Sequence, residues 1–109
     1  MSQLSVTDRV TAFLCEYYKL PAEKVADMLP TFLNVLQNHM IKMEKTVAEG
    51  DIQSIGNVGH TLKGALMNLG LDDFAEIAQT IEREGKAGRS EVDYSGLVDQ
   101  LKENMAEIL

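Results

Sequence analysis

Residues 51–70 read DIQSIGNVGHTLKGALMNLG. Asp51 offers an N-cap, and Ile52, Ile55, Val58, Leu62, Leu66 and Leu69 recur at helical spacing until Gly70 ends the pattern. On a wheel of about 100° per residue with Leu62 at zero, Ile55, Val58, Leu66 and Leu69 fall within roughly 40° of it. That arc is the expected buried face. His60 falls at about 160°, nearly opposite, in company with Gly56 at about 120°, Gly64 at about −160° and Met67 at about 140°. Gly59 is its chain neighbour. Glycine inside a helix costs about 1 kcal/mol relative to alanine, so three glycines around one solvent-facing histidine require a cause. One cause is clearance for a bulky group brought onto the imidazole; the other is close packing or simple tolerance at the surface. Lys63, three residues after His60, lies on the neighbouring flank, within helical reach of whatever the ring carries.

The segments on either side read as helices too. Before it, Leu29, Phe32, Leu33, Leu36, Met40, Met43 and Val47 form a stripe that stops at Gly50, a natural C-cap. Further upstream, Val6, Val10, Phe13, Leu14 and Tyr17 predict a first helix, with Ser5 and Asp8 as a capping pair and an end before Pro21. A short helical turn is expected after Pro21, and Pro30 reads as a break or as the first turn of the next helix. After it, Asp72 or Asp73 is expected to cap a helix carrying Phe74, Ile77, Ala78 and Ile81 that fades at Gly85 and Gly88. A last helix opens at Ser90 or Asp93 and carries Leu97, Leu101, Met105 and Ile108. Strand-like alternation is absent, and short connections favour antiparallel neighbours. The expected fold is all-α: an up-down-up-down four-helix bundle over about 31–109 with an N-terminal helical extension over 1–30, in one domain spanning 1–109.

Composition narrows the function classes. The 109 residues, 45% hydrophobic and 25% charged, suit one soluble globular domain. A lone cysteine, Cys15, forms no intramolecular disulfide and points to a reducing, cytoplasmic setting, with the thiol expected to be buried. The longest uncharged run, Met28 to Ile41, is interrupted by polar residues and Pro30, so no membrane span is expected, and the first four residues carry no basic signal-peptide region. With 17 acidic against 10 scattered basic residues, nucleic acid is not an expected partner. Tyr17 and Tyr18 are expected to pack the first helix, the methionines to fill the core, and the initial Met to mark a complete small protein.

The run His60-Thr61-Leu62-Lys63-Gly64-Ala65, followed by Leu69-Gly70, resembles the H-x-x-K-G…L-G signature of histidine phosphotransfer domains of bacterial phosphorelays. Gly50-Asp51 and the stretch Ile77-Ala-Gln-Thr-Ile-Glu-Arg-Glu-Gly-Lys add to the likeness, which spans roughly Phe32 to Lys86. The resemblance implies that His60 is phosphorylated through Nε2, that Lys63 lies near the phosphoryl group and that Gly64 leaves room for it. Glu82 matches a position where the family places a Gln or Glu on the other ring nitrogen; Gln79 is a second candidate for that contact, and Lys86 could add positive charge at the rim. Gly59, where the family commonly shows Ala, and Gly56 depart from the pattern and put helix regularity in doubt. Partner docking is expected around His60, using Gly56, Gly59, Met67, Gln79 and Lys86.

The implied protein is a phosphocarrier without kinase activity of its own, passing a phosphoryl group between receiver aspartates. Its implied partners are response-regulator receiver domains and a hybrid sensor histidine kinase. No cofactor is expected on this chain, Mg²⁺ belonging to the partner receiver, and the state expected is monomeric. G-x-x-x-x-G-K-[ST] and kinase nucleotide motifs are absent. Three other readings are weaker. A plain helical interaction module would leave His60 incidental. A metal-binding bundle needs inward E-x-x-H pairs, yet Leu36 and Asn57 stand three residues before His39 and His60, and His39 reads as a boundary residue. An acyl carrier needs Asp-Ser-Leu at a helix start, which the chain lacks.

Overall fold

Among the described residues four adopt left-handed backbone, Lys19, Gly50, Gly70 and Gly88, and each follows the end of a helix. The computed structural model describes residues 5–109 as five helices: α1 (Val6–Tyr18), α2 (Ala22–Glu49), α3 (Ile52–Met67), α4 (Asp72–Lys86) and α5 (Tyr94–Asn104), with a closing 3₁₀ turn at Ala106–Ile108. The signal-peptide reading of the first four residues lies outside the described residues. Among the described residues the fold is all-α, and no helix is long and apolar enough to cross a membrane.

The caps follow from side-chain chemistry. Ser5 accepts from the Asp8 amide, Asp51 from Ser54 and Asp93 from Gly96, each satisfying an otherwise unpaired amide of a first turn. Gly70 closes α3 with a 3.0 Å bond from the Leu71 amide back to the Leu66 carbonyl, and its φ of 75° suits glycine. A side chain there would also strike Phe13 of α1. At α4 the expected cap is corrected: Leu71 holds the N-cap position without a side-chain bond, and Asp72 and Asp73 lie inside the first turn, where carboxylates suit the helix dipole.

Pro30 corrects a second expectation. It neither breaks nor begins a helix, for α2 runs unbroken through it for 28 residues. Its missing N–H releases only the Ala26 carbonyl, and both residues are exposed, so the group faces solvent and not the apolar core. No helix boundary therefore falls at 30/31.

Val6, Val10 and Leu14 of α1 are buried in one cluster with Val25, Leu36, Met40 and Met43 of α2, Ile55, Leu62 and Leu66 of α3, Phe74, Ala78 and Ile81 of α4, and Leu101, Met105 and Ile108. Burying a Val or Leu completely contributes about 1.5–3 kcal/mol, so α1 is anchored by its inner face. Arg9 adds a two-point contact to Asp73, with distances of 2.5 and 3.2 Å, and lies 4.9 Å over the Phe74 ring. In α5, Tyr94 and Val98 take inner positions while Leu97 is half-buried, and the Tyr94 hydroxyl donates to the Arg89 carbonyl. Glu44 pairs with Lys102 and Gln37 bonds the Ile108 carbonyl, which sets α2 antiparallel to the C-terminal segment.

Candidate functional site

The site forms where α3 and α4 come closest. On α3, Gly56 and Gly59 are buried; a Cβ on Gly56 would lie 2.7 Å from the Lys86 nitrogen, and one on Gly59 would lie 2.8 Å from the Glu82 nitrogen. On α4, Gly85 faces the Gly56 backbone in the same way, at 2.6 Å. These glycines let the two backbones touch. Of the two causes left open for these glycines, close packing is the one found at Gly56 and Gly59, and their expected part in partner docking is corrected: what they admit is α4 of the same chain. Gly64 differs, because a Cβ there would meet nothing within 4 Å.

The close approach determines what His60 can touch. Its side chain is 61% exposed, and Nδ1 lies 2.6 Å from Glu82 Oε2. Glu82 stands beside the buried stripe of Phe74, Ala78, Ile81 and Gly85, which pins α4 against α3 and leaves the Glu82 side chain 13% exposed at the seam. Lys63 Nζ lies 2.6 Å from Glu82 Oε1, and Lys86 Nζ lies 3.2 Å from Oε2. The Lys63 ammonium beside Glu82 is the main cause that lowers its carboxyl from an ordinary 4.5 to about 2; the His60 and Lys86 contacts lower it further, against the opposing effect of burial. Glu82 is thus ionised at neutral pH and acts only as an acceptor. Nδ1 of the neutral ring must carry the proton of this bond, and the lone pair resides on Nε2. The exposed ring is oriented, with a nucleophilic nitrogen on its free edge.

Gln79 is exposed, and the ring nitrogen has Glu82 as its partner instead. Met67, one turn beyond Gly64, is 51% exposed. Lys63 holds Glu82 instead of standing free beside the ring.

Beyond these residues, a groove of about 650 Å³ opens beside His60, walled by Tyr18, Phe32, Val35, His39, Thr61 and Gly64. Tyr18 and Val35 are 52% and 44% exposed, so an apolar surface from α1 and α2 adjoins the histidine. Tyr17 and Tyr18 were expected to pack the first helix. They are exposed because the inward positions of α1 are Val6, Val10 and Leu14, and Tyr17 stacks on Phe13 at 5.3 Å. Cys15, expected buried, is half-buried. Paired surface tyrosines at the end of an otherwise amphipathic helix were the available signal for this wall.

An exposed histidine, a carboxylate on one ring nitrogen and a neighbouring lysine and glycine form the geometry on which the comparison with known proteins bears. The Hpt domain family model matches residues 27–109. The chain belongs to the Hpt domain family. Searches of the curated proteins and of the solved structures found no match to it. Hpt domains have a phosphotransfer role in two-component signalling, as phosphocarrier modules and not kinases, and interact with receiver domains and kinases of those systems. In this Hpt domain the match omits α1, although that helix shares the core and supplies Tyr18 to the groove.

Proposed function

We propose that His60 accepts a phosphoryl group from the aspartyl phosphate of one receiver domain and passes it to the aspartate of another in a multistep phosphorelay. The observation that carries this reading is the 2.6 Å contact between Nδ1 and Glu82 on a ring whose other edge is free. The Nε2 lone pair forms the N–P bond as the P–O bond to the receiver's carboxylate breaks, and that carboxylate leaves as its anion. Nδ1 keeps its proton throughout, so the forward step transfers none, and Glu82 faces the positive charge that the ring acquires. Lys63 and Lys86 leave a local excess of positive charge beside the carboxylate, suited to an incoming phosphoryl group in a chain with net charge −7. Gly64 leaves the approach to the ring unobstructed.

The receiver docks over the groove, with Tyr18, Val35 and Met67 giving apolar contacts around the reacting nitrogen. In this reading the domain works in the cytoplasm, as a monomer and without a cofactor of its own; the divalent cation sits on the receiver beside its acceptor aspartate, and a hybrid sensor histidine kinase begins the relay. The test is transfer from a panel of labelled receiver aspartyl phosphates to the wild-type protein and to His60→Gln. An acid-labile, alkali-stable label that disappears in the variant is expected. A label that persists in the variant would move the site away from His60.

A further inference from the structure

Two lysines hold Glu82, and they hold it differently. Lys63 contacts Oε1, whereas Lys86 shares Oε2 with His60 Nδ1. Lys63 stands three residues from His60 on the neighbouring flank of α3, next in the chain to the open Gly64. Lys86 is tied to Glu82 at i,i+4 on α4, and its stem crosses bare backbone: its Cγ lies 3.0 Å from where a Gly56 Cβ would be. A phosphoryl group on Nε2 places new negative charge across the ring from Glu82, whose side chain is 13% exposed. If both ammonium groups turned to the phosphoryl group, the charged ring would be the one cation left on Glu82 in this cluster, against the new negative charge, and the carboxylate's hold on Nδ1 would weaken. A lysine that stays on Oε2 offsets that loss.

We propose that Lys86 is a positioning residue for phosphoryl transfer: it keeps Glu82 Oε2 on His60 Nδ1 while Lys63 leaves Oε1 for the phosphoryl group. The proposal rests on His60 being the phosphorylated residue. It gives Gly56 a second role, since any side chain there would displace the Lys86 stem. It also accounts for a requirement specific to a glutamate at this position, because a neutral glutamine would need no resident counter-ion.

The test uses the full chain, labelled with ¹⁵N and phosphorylated on histidine by phosphoramidate, with the His60 Nδ1–H resonance and the rate of transfer to a receiver as readouts. Wild type should keep the hydrogen-bonded Nδ1–H resonance before and after phosphorylation. Lys86→Gln should keep it before, lose it after, and transfer about two- to fivefold more slowly, the range expected of a partly exposed ion pair. Lys86→Arg should restore both. The Lys86 side chain is 46% exposed, so neither variant disturbs the core, which circular dichroism checks. A phosphorylated Lys86→Gln protein with wild-type resonance and rate overturns the proposal alone. Loss of the resonance in Lys86→Gln before phosphorylation overturns it as well, since Lys63 would then not be sufficient at rest. Wild type that takes no phosphoryl group on His60 overturns both this proposal and the reading beneath it.

Discussion

Glu82 is the residue through which the site is organised, and its chemistry has a consequence for stability. Its carboxyl is lowered from 4.5 to about 2 in the folded chain, chiefly by Lys63. A group with a depressed folded value binds fewer protons when folded than when unfolded, so its contribution to stability is fully present above about 4.5 and is lost as the pH falls toward 2. Glu82→Gln should therefore flatten the fall of stability between those pH values, measured by chemical denaturation at several pH values. A variant whose acid profile superimposes on wild type would show that the ion pairs are not formed in solution. Asp73 is lowered in the same direction by Arg9 and contributes to the same acid region, so the loss in Glu82→Gln should be partial.

At the level of the element, α3 has three unlike flanks. Leu62, Ile55 and Leu66 face the core, Gly56 and Gly59 face α4, and Thr61, Gly64 and Ala65 face the groove, with His60 on the crest between the last two. Two glycines on the same helix should therefore respond in opposite ways. Gly64→Ala adds a methyl group to open space and removes an entropic penalty, so it should stabilise the domain by about 0.5–1 kcal/mol. Gly59→Val places branched carbon against the Glu82 backbone, so it should destabilise by about 1–3 kcal/mol and separate Glu82 from His60. Urea midpoints of the two variants check both signs; equal shifts would refute the close-packing account of Gly59.

At the scale of the whole molecule, α1 does two jobs with two faces. Its inner residues Val10 and Leu14 are 0% and 2% exposed, and its last turn puts Tyr18 on the groove beside His60. Leu14→Ala should cost about 2–5 kcal/mol and leave intrinsic phosphorylation of the folded fraction unchanged. Tyr18→Asp should leave the unfolding midpoint within about 0.5 kcal/mol of wild type, as surface changes do, and slow transfer from a receiver. The same Tyr18→Asp protein should react normally with a small phosphodonor, because only docking is impaired. Slow reaction with both donors would place Tyr18 in the chemistry and not in the interface.

By itself the sequence determined the all-helical class, the end of α2 at Gly50 and the outward position of His60, because these depend on interactions within a few residues, caps, left-handed glycines and the 3.6-residue repeat; α3 stops at Met67, three residues before the expected Gly70. It also carried the His60-Thr61-Leu62-Lys63-Gly64 run by which the family is legible. Tertiary structure decided which glycines are close-packed and which is open, since that depends on where α4 lies and a one-helix wheel contains no second helix. It decided that α2 continues through Pro30, because the exposure of the released carbonyl is set by what packs around it. Folding brought Glu82, which the family resemblance had named for this contact, from 22 residues away to the ring nitrogen, and it assembled the groove from α1, α2 and α3, which nothing in the sequence had named. Local propensity specifies a helix and its exposed side; the distance between side chains on different helices is set only when their small residues let the backbones meet.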